Sequence, residues 1–307
     1  MTKPSLMVGL GEVLWDFLPS GKVLGGAPTN FAYMACVLGD LGVVASRVGK
    51  DDLGEEAFHR LEQLGLNTEY LQRDTRSRTG TAGVTIDSTG QPTFIIEESV
   101  AWDDLQWTPE WQNLSARADV VCFGSLAQRS AVSADTIDRF LSNCRPDALR
   151  IFDVNLRQSF YEKKNVERSL QHATIVKLAE QELSVVGDLL GLRGNSSKVL
   201  ARQLRQDYDV ELVCVTRGAR GSLLVSEREC ISHKGFEVKV VDSVGAGDAF
   251  TACLAHHFVR GHSLSEIGGY ANRFASWVAT QAGATPVIHT SQVQELLRGA
   301  GAAGRLC

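Results

Sequence analysis

The 307-residue sequence has no basic excess: 31 Lys and Arg stand against 36 Asp and Glu, a formal net charge of −5. Phosphate backbones demand a basic surface, and no Lys/Arg stripe offsets the deficit, so nucleic acid is excluded as the main partner. No segment stays apolar for the ~20 residues that a membrane span needs. The apolar run in MTKPSLMVGLGEVLWD is too short for a signal core and meets charge at once, so a cytoplasmic protein without a membrane partner is expected. The seven cysteines (Cys36, Cys122, Cys144, Cys214, Cys230, Cys253, Cys307) are scattered, odd in number and without CxxC spacing. They read as reduced thiols, not as a disulfide frame or zinc site. The histidines lack metal spacing, and the adjacent His256 and His257 face different sides of a helix as structural residues. There is no internal repeat, charge run or low-complexity segment apart from the terminal RGAGAAG, which is expected to fray.

What is present centres on Val241 to Leu254, VDSVGAGDAFTACL. Val238, Val240 and Val241 lead in as a strand would, and Phe250, Leu254 and Phe258 recur at helical spacing behind. The stretch is thus predicted as strand, glycine turn and helix start. Gly245 and Gly247 let backbone approach a ligand, and a helix's first turn offers unpaired N–H groups and the positive dipole end, a place for phosphate. Asp248 follows where a Walker-type loop has Lys and Ser or Thr. A carboxylate beside a phosphate site suits a general base for phosphoryl transfer to an alcohol, whose hydroxyl must lose its proton. The alternative is that Asp248 is only a helix N-cap.

With 44% hydrophobic residues the chain can bury a large core, and it reads as one α/β domain over residues 1–307. LMVGL at 6–10 is a short buried strand. GEVLWDFLP continues extended to a turn at Pro19-Ser20-Gly21, and a second extended piece ends at Gly25-Gly26. Pro28 then opens a helix whose apolar face is Phe31, Met34, Ala35 and Leu38 and which stops at Gly39. Residues 42–49 form a strand and Leu53 to Leu64 a helix before Gly65. TAGVTID and PTFIIEE alternate around Ser88-Thr89-Gly90 as a hairpin. The hairpins at about 11–26 and 78–101 are expected to combine into a small lid sheet. Trp107 and Trp111, at i and i+4, read as packing.

From Ala118 onward ADVVCFGS, LRIFDVN, TIVKL and ELVCVTRG are predicted strands, with helices at Val132 to Cys144, Glu180 to Leu190 and Ser196 to Tyr208. Two helices are expected from His262 to about Gln281. This rhythm means a doubly wound, mostly parallel sheet flanked by helices, with ligands beyond the carboxyl ends of the strands. The polar strand ends are Asp153, Asn155 and Arg157, Lys177 and Glu182, and Thr216 and Gly218. Asp16 and Asn30 bracket the diglycine, as ligand contacts or as ordinary strand and helix residues. Asn272 and Ala275 either wall a flat adenine pocket or pack a helix on the sheet.

Together these residues resemble the ribokinase/PfkB carbohydrate kinase family over essentially the whole chain. Asp242-Ser243-Val244-Gly245-Ala246-Gly247-Asp248 is similar to the family's DTxGAGD, with Ser243 and Val244 at its two tolerant positions. GGAPTNFA at 25–32 is similar to its diglycine motif, and GEVLWDFLP with DVNLR at 153–157 resembles the fructokinase-like branch. The resemblance implies a ribokinase-like fold and an ATP-dependent phosphotransferase acting on a sugar hydroxyl, D-fructose first, as monomer or homodimer. It implies Asp248 as catalytic base and Gly245, Ala246 and Gly247 as anion hole. Asp16, Gly25, Gly26, Asn30 and Arg157 would hold the sugar, and Lys177, Thr216, Gly218, Gly221 and Asn272 the ATP. Mg2+ would lie near Glu182, and an activating K+ near Asp242. In the stretch like K-x-N-x-x-E, Lys177 and Glu182 remain but Ala179 replaces a side-chain donor, which would weaken a nucleotide contact. The open alternatives are a kinase for 2-keto-3-deoxygluconate, ribose, 5-dehydro-2-deoxygluconate or a nucleoside, and a sugar sensor without turnover. Ala27-Pro28 after the diglycine leans away from the Lys-Gly usual in ribokinase-like sequences.

Overall fold

The computed structural model describes residues 3–18, 21–86, 92–298 and 305–306. The expected turns at Pro19-Ser20 and Ser88-Thr89-Gly90, most of the RGAGAAG tail and Cys307 lie outside the described residues.

Short apolar runs become the strands of the main sheet: β1 (Leu6–Leu10), β4 (Leu41–Gly49), β5 (Leu71–Asp74), β8 (Val120–Phe123), β9 (Leu149–Asp153), β10 (Ile175–Ala179) and β11 (Leu212–Thr216). Three further strands, β12 (Ser222–Ser226), β13 (Cys230–His233) and β14 (Arg305–Leu306), complete it. The order is β14-β13-β12-β11-β10-β9-β8-β1-β4-β5, parallel from β11 to β5 and antiparallel from β11 to β14. Neighbouring residues of a strand point to opposite faces, so Met7 and Ile151 enter one core while Val8 and Phe152 enter the other. On the first face lie α1 (Ala27–Leu38), α2 (Asp52–Gln63), α8 (Ala246–Phe258), α9 (Leu264–Val278) and α10 (Thr290–Leu297). On the second lie α3 (Pro109–Arg117), α4 (Ala131–Ser142), α5 (Lys163–His172), α6 (Glu180–Leu190) and α7 (Ser197–Asp207). Burial on both faces explains why β8, VVCF, is apolar throughout.

The remaining strands, β2 (Leu14–Leu18), β3 (Gly21–Gly25), β6 (Gly80–Ile86) and β7 (Pro92–Ile96), form a separate sheet in the order β3-β2-β6-β7. As expected, it joins the two early hairpins, here through parallel pairing of β2 with β6. Trp15 is buried and its Nε1 donates to the Leu53 carbonyl at 2.9 Å, and Lys22 pairs with Glu56, so this sheet is tied to α2.

Three expectations are corrected. No strand precedes the Gly245 loop: residues 237–241 run over the surface, with Val240 and Val241 more than half exposed. There they lack a neighbouring strand, and β-branched composition alone does not make one. The two helices expected from His262 to Gln281 are the single helix α9, opened by a Ser263–Glu266 capping box. Cys230 is disulfide-bonded and so is not a reduced thiol; Cys36, Cys122, Cys144, Cys214 and Cys253 are free. Among the described residues no helix is long and apolar enough to cross a membrane.

Candidate active site

At the N-terminus of α8 the two loop glycines serve different needs. Gly245 is the residue before the helix, at φ 77°, and a Cβ there would lie 2.6 Å from that of Ala284. The loop is pressed against the chain after α9. Asp242 braces it, accepting N–H groups from Val244 at 3.0 Å and Gly283 at 3.1 Å, and Val241 N–H donates to the Ala279 carbonyl at 2.9 Å. A Cβ on Gly247 would instead meet only Lys177 Nζ, at 3.1 Å. Gly247 therefore keeps open the space between the first turn of α8 and a buried ammonium group. No side chain caps this turn, and its Ala246 N–H donates to the Ser243 carbonyl at 3.3 Å.

Asp248 is not a cap, because Gly245 holds that position and Asp248 stands at the third helical residue. Its Oδ2 accepts a hydrogen bond from Asn30 Nδ2 at 2.7 Å. Burial and the neighbouring Asp153 charge push its carboxyl up to about 6, against the Asn30 bond and the charges of Lys177 and Arg157. It is thus ionised at neutral pH yet more basic than an ordinary aspartate. Beside it a small cavity of about 10 Å³, room for one water, is lined by Asp248, Asp153, Pro28, Phe31 and Cys122.

Asp153 ends β9 and Lys177 lies in β10, paired in register, and Lys177 Nζ donates to Asp153 Oδ1 at 3.0 Å. The other carboxylate oxygen accepts from Thr251 Oγ1 at 2.9 Å, one turn beyond Gly247. Burial works against the lysine's charge, but Asp153, Glu182 and Asp248 outweigh it and hold its pKa well above the ordinary value. A permanent cation is therefore fixed beside the open end of α8.

On the other side of Asp248 the diglycine lets a carboxyl group and a backbone carbonyl approach. A Cβ on Gly25 would fall 2.2 Å from Asp16 Oδ2, and one on Gly26, at φ 107°, 2.4 Å from the Glu12 carbonyl. Burial raises Asp16 to about 6 against the pull of Arg157. Arg157 is exposed, in the loop after β9, and its charge also acts on Glu12 and Asp248. Asp16, Gly25, Gly26, Asn30, Arg157 and Asp248 thus lie in one region of the structure.

Glu12 was not foreseen. Only 3% exposed, it accepts the Ala27 N–H, the first of α1, at 3.3 Å, and its Oε2 has no partner among the described residues. Burial raises it to about 7, opposed by backbone hydrogen bonds and Arg157 and reinforced by Asp248. The one available signal is a charged residue directly after a buried strand, in GEVLWD, where burial of Glu is costly.

The remaining candidates divide. Glu182, at the third position of α6, accepts from Ala179 N–H at 2.7 Å and Leu156 N–H at 2.8 Å, so both oxygens tie the start of α6 to the Arg157 loop. Thr216 ends β11 beside Ala179, with its hydroxyl 3.5 Å from the Leu178 carbonyl. Gly218 and Gly221 shape the following turn, both at positive φ. Asn272 is apart: it is buried and donates to Ser222 Oγ and the Gly268 carbonyl, each at 2.7 Å, packing α9 on β12.

The pattern of the pfkB family carbohydrate kinases matches residues 20–291. The chain belongs to this family. The kinase is 30% identical to a fructokinase of Escherichia coli over 263 residues, covering 80% of this chain and 81% of that one. To a fructokinase of Vibrio alginolyticus it is 29% identical over 305 residues, 94% of this chain and 96% of the relative. Such relatives support the fructokinase-like branch. A fructokinase with bound ATP from Xylella fastidiosa matches with a TM-score of 0.82 at 23% identity, covering 95% of this chain and 98% of that chain. A sugar kinase of Pyrococcus horikoshii in complex with ATP matches at 0.79 and 26% identity, covering 96% and 100%. The ribokinase-like fold is thereby established, and the protein is an ATP-dependent carbohydrate kinase.

Proposed function

We propose that this enzyme is a cytoplasmic fructokinase, transferring the γ-phosphoryl group of ATP to a hydroxyl of D-fructose. The curated fructokinases among its relatives support the acceptor. The observation that carries the chemistry is Asp248, half-buried at the mouth of an uncapped, glycine-led helix and oriented by Asn30. Asp16, Asn30 and Arg157, above Gly25 and Gly26, hold the sugar. The sugar oxygen attacks the γ-phosphorus, its proton passes to the Asp248 carboxylate, and the bond from phosphorus to the ADP oxygen breaks. The N–H groups at Gly245, Ala246 and Gly247 meet the charge on the transferred group, with Lys177 beyond Gly247.

The ATP lies along the ends of β10 and β11, against Lys177, Thr216, Gly218 and Gly221. Asn272 acts there through packing. Closure of the small sheet over the sugar, as a lid, excludes water and suppresses ATP hydrolysis. Magnesium, when bound, neutralises charge on the ATP phosphates. Among the described residues no three acidic, His or Cys side chains are grouped to hold a metal, and both Glu182 oxygens are occupied by backbone N–H groups. Those residues do not fit a dedicated metal cage, in keeping with a cation held mainly by phosphates and water. Asp242, a candidate K+ ligand, likewise has both oxygens engaged as loop braces.

The test is ADP release over a panel of sugars by the parent and Asp248→Asn enzymes. Fructose-dependent turnover, lowered by about 10²–10⁴-fold in the variant, is expected. A folded Asp248→Asn enzyme at parental rate overturns the base assignment. Turnover with 2-keto-3-deoxygluconate, 5-dehydro-2-deoxygluconate, ribose or a nucleoside in place of fructose overturns the acceptor. Sugar binding without turnover identifies a sensor.

A further inference from the structure

Arg129 ends a short helical turn after β8 (Leu126–Arg129). Its side chain is 6% exposed. In the plane of the guanidinium, Nε donates to Asp103 Oδ1 and Nη2 to Asp103 Oδ2, each at 2.8 Å, and Nη2 also reaches the Glu97 carbonyl. The guanidinium carbon also lies over two aromatic rings, 4.0 Å from the Trp102 centroid and 4.6 Å from that of Phe160.

Two of these partners, Glu97 and Phe160, belong to different parts of the sugar side. Glu97 follows β7, and its N–H donates to Thr81 of β6 at 3.0 Å. β6 in turn pairs with β2, with Ala82 beside Asp16. Phe160 closes the turn of the other sugar residue, its N–H donating to the Arg157 carbonyl at 3.0 Å. One buried cation thus touches both the sheet that carries Asp16 and the loop that carries Arg157. A flat group with in-plane donors and a stackable face is what this junction requires, and among side chains arginine alone offers it.

We propose that Arg129 is a positioning residue for the sugar site, fixing the Asp16 sheet and the Arg157 loop at one mutual distance. It touches neither sugar nor ATP and acts through Glu97 and Phe160. This inference rests on the sugar-side assignment made above. It concerns which residue sets the geometry of that site, whatever the acceptor's turnover.

The experiment compares the parent enzyme with Arg129→Lys and Phe160→Leu. The readouts are sugar KM, ATP KM, kcat, ATP hydrolysis without sugar, thermal midpoint and the calorimetric Kd for fructose. Lysine keeps the charge opposite Asp103 but loses the two-bond fork and the stack. Arg129→Lys is expected to raise sugar KM and Kd about tenfold or more, with ATP KM unchanged and a larger share of ATP lost to water. Phe160→Leu shifts sugar KM the same way, and the double variant shows less than the product of the two effects, since both break one contact. Parental sugar affinity and coupling in Arg129→Lys, with only a lower thermal midpoint, overturns the proposal. If that variant fails to fold, parental sugar affinity in Phe160→Leu overturns it. A parent enzyme without sugar-dependent ADP release refutes the kinase reading instead, and the fructose Kd comparison still decides the role of Arg129.

Discussion

Glu12 offers the sharpest test of the electrostatics, because replacing one oxygen by an amide group removes its charge and little else. Its carboxyl lies at the start of α1 at 3% exposure, with one oxygen on the Ala27 N–H and the other without a partner among the described residues. Burial raises its pKa from 4.5 to about 7, against its own backbone N–H, Arg157 and the Ala27 bond, with Asp248 adding to the rise. The unfolded chain gives up this proton near 4.5 and the folded protein only near 7. The group's contribution to stability is therefore complete below pH 4.5 and is lost as pH rises to about 7. A displacement of that size corresponds to a loss of about 3 kcal/mol. Glu12→Gln keeps an acceptor for the Ala27 N–H and has nothing to ionise. Relative to the parent it should gain about 3 kcal/mol in stability between pH 4.5 and pH 8. Urea denaturation of both proteins at pH 4.5, 6 and 8 measures this as a difference of differences, so any fixed cost of burying the amide cancels. A variant-minus-parent stability that stays constant across these pH values would show that Glu12 is not held protonated by its surroundings, and the reasoning would fail.

Other outcomes follow from the same physics. Because Asp248 must be ionised to accept a proton and its carboxyl is raised to about 6, kcat/KM should fall on acidification with an apparent pKa near 6. A profile flat down to pH 5 would contradict this. The two loop glycines should separate on mutation. Gly245→Ala, at φ 77° and 2.6 Å from Ala284, is expected to destabilise by about 1–3 kcal/mol. Gly247→Ala should keep the thermal midpoint or raise it, as alanine favours helix by about 1 kcal/mol. Yet it should lose transfer activity, because the methyl group occupies the space facing Lys177. Equal thermal loss in both variants would count against distinct roles. His257 is buried against Tyr270, with neither ring nitrogen partnered among the described residues, and burial followed by the charges of His256, His262 and Arg260 lowers its pKa from 6.5 to about 3. Its contribution to stability is present above pH 6.5 and falls by about 5 kcal/mol as pH drops toward 3. His257→Phe should flatten that acid dependence, as followed by denaturation at pH 7 and pH 4.5.

Much of the architecture was legible because it rests on local rules. Burial on both faces makes β8 uniformly apolar, and proline near the start with glycine after the end bounds α1, so these elements are readable from a few residues. The same rules misled at Val238 to Val241, where β-branched residues follow no strand because no neighbour is there to pair with them. They were also silent on β12 and β13, which turn the sheet antiparallel, and on the bonded state of Cys230.

For the site, the sequence by itself determined the local chemistry: a glycine-led helix start with an aspartate three residues in, a diglycine turn, and polar residues finishing parallel strands. Only the tertiary structure decided which of these groups act on one another. Asn30 and Asp248 stand 218 residues apart and share a hydrogen bond; Asn272 is turned into packing; Glu12 is buried at the start of α1; Arg129 lies over two aromatic rings. The reason is physical: backbone conformation and periodicity depend on near neighbours in the chain. Desolvation, charge coupling and stacking depend on distance in space, which comes into being only when the sheet is wound.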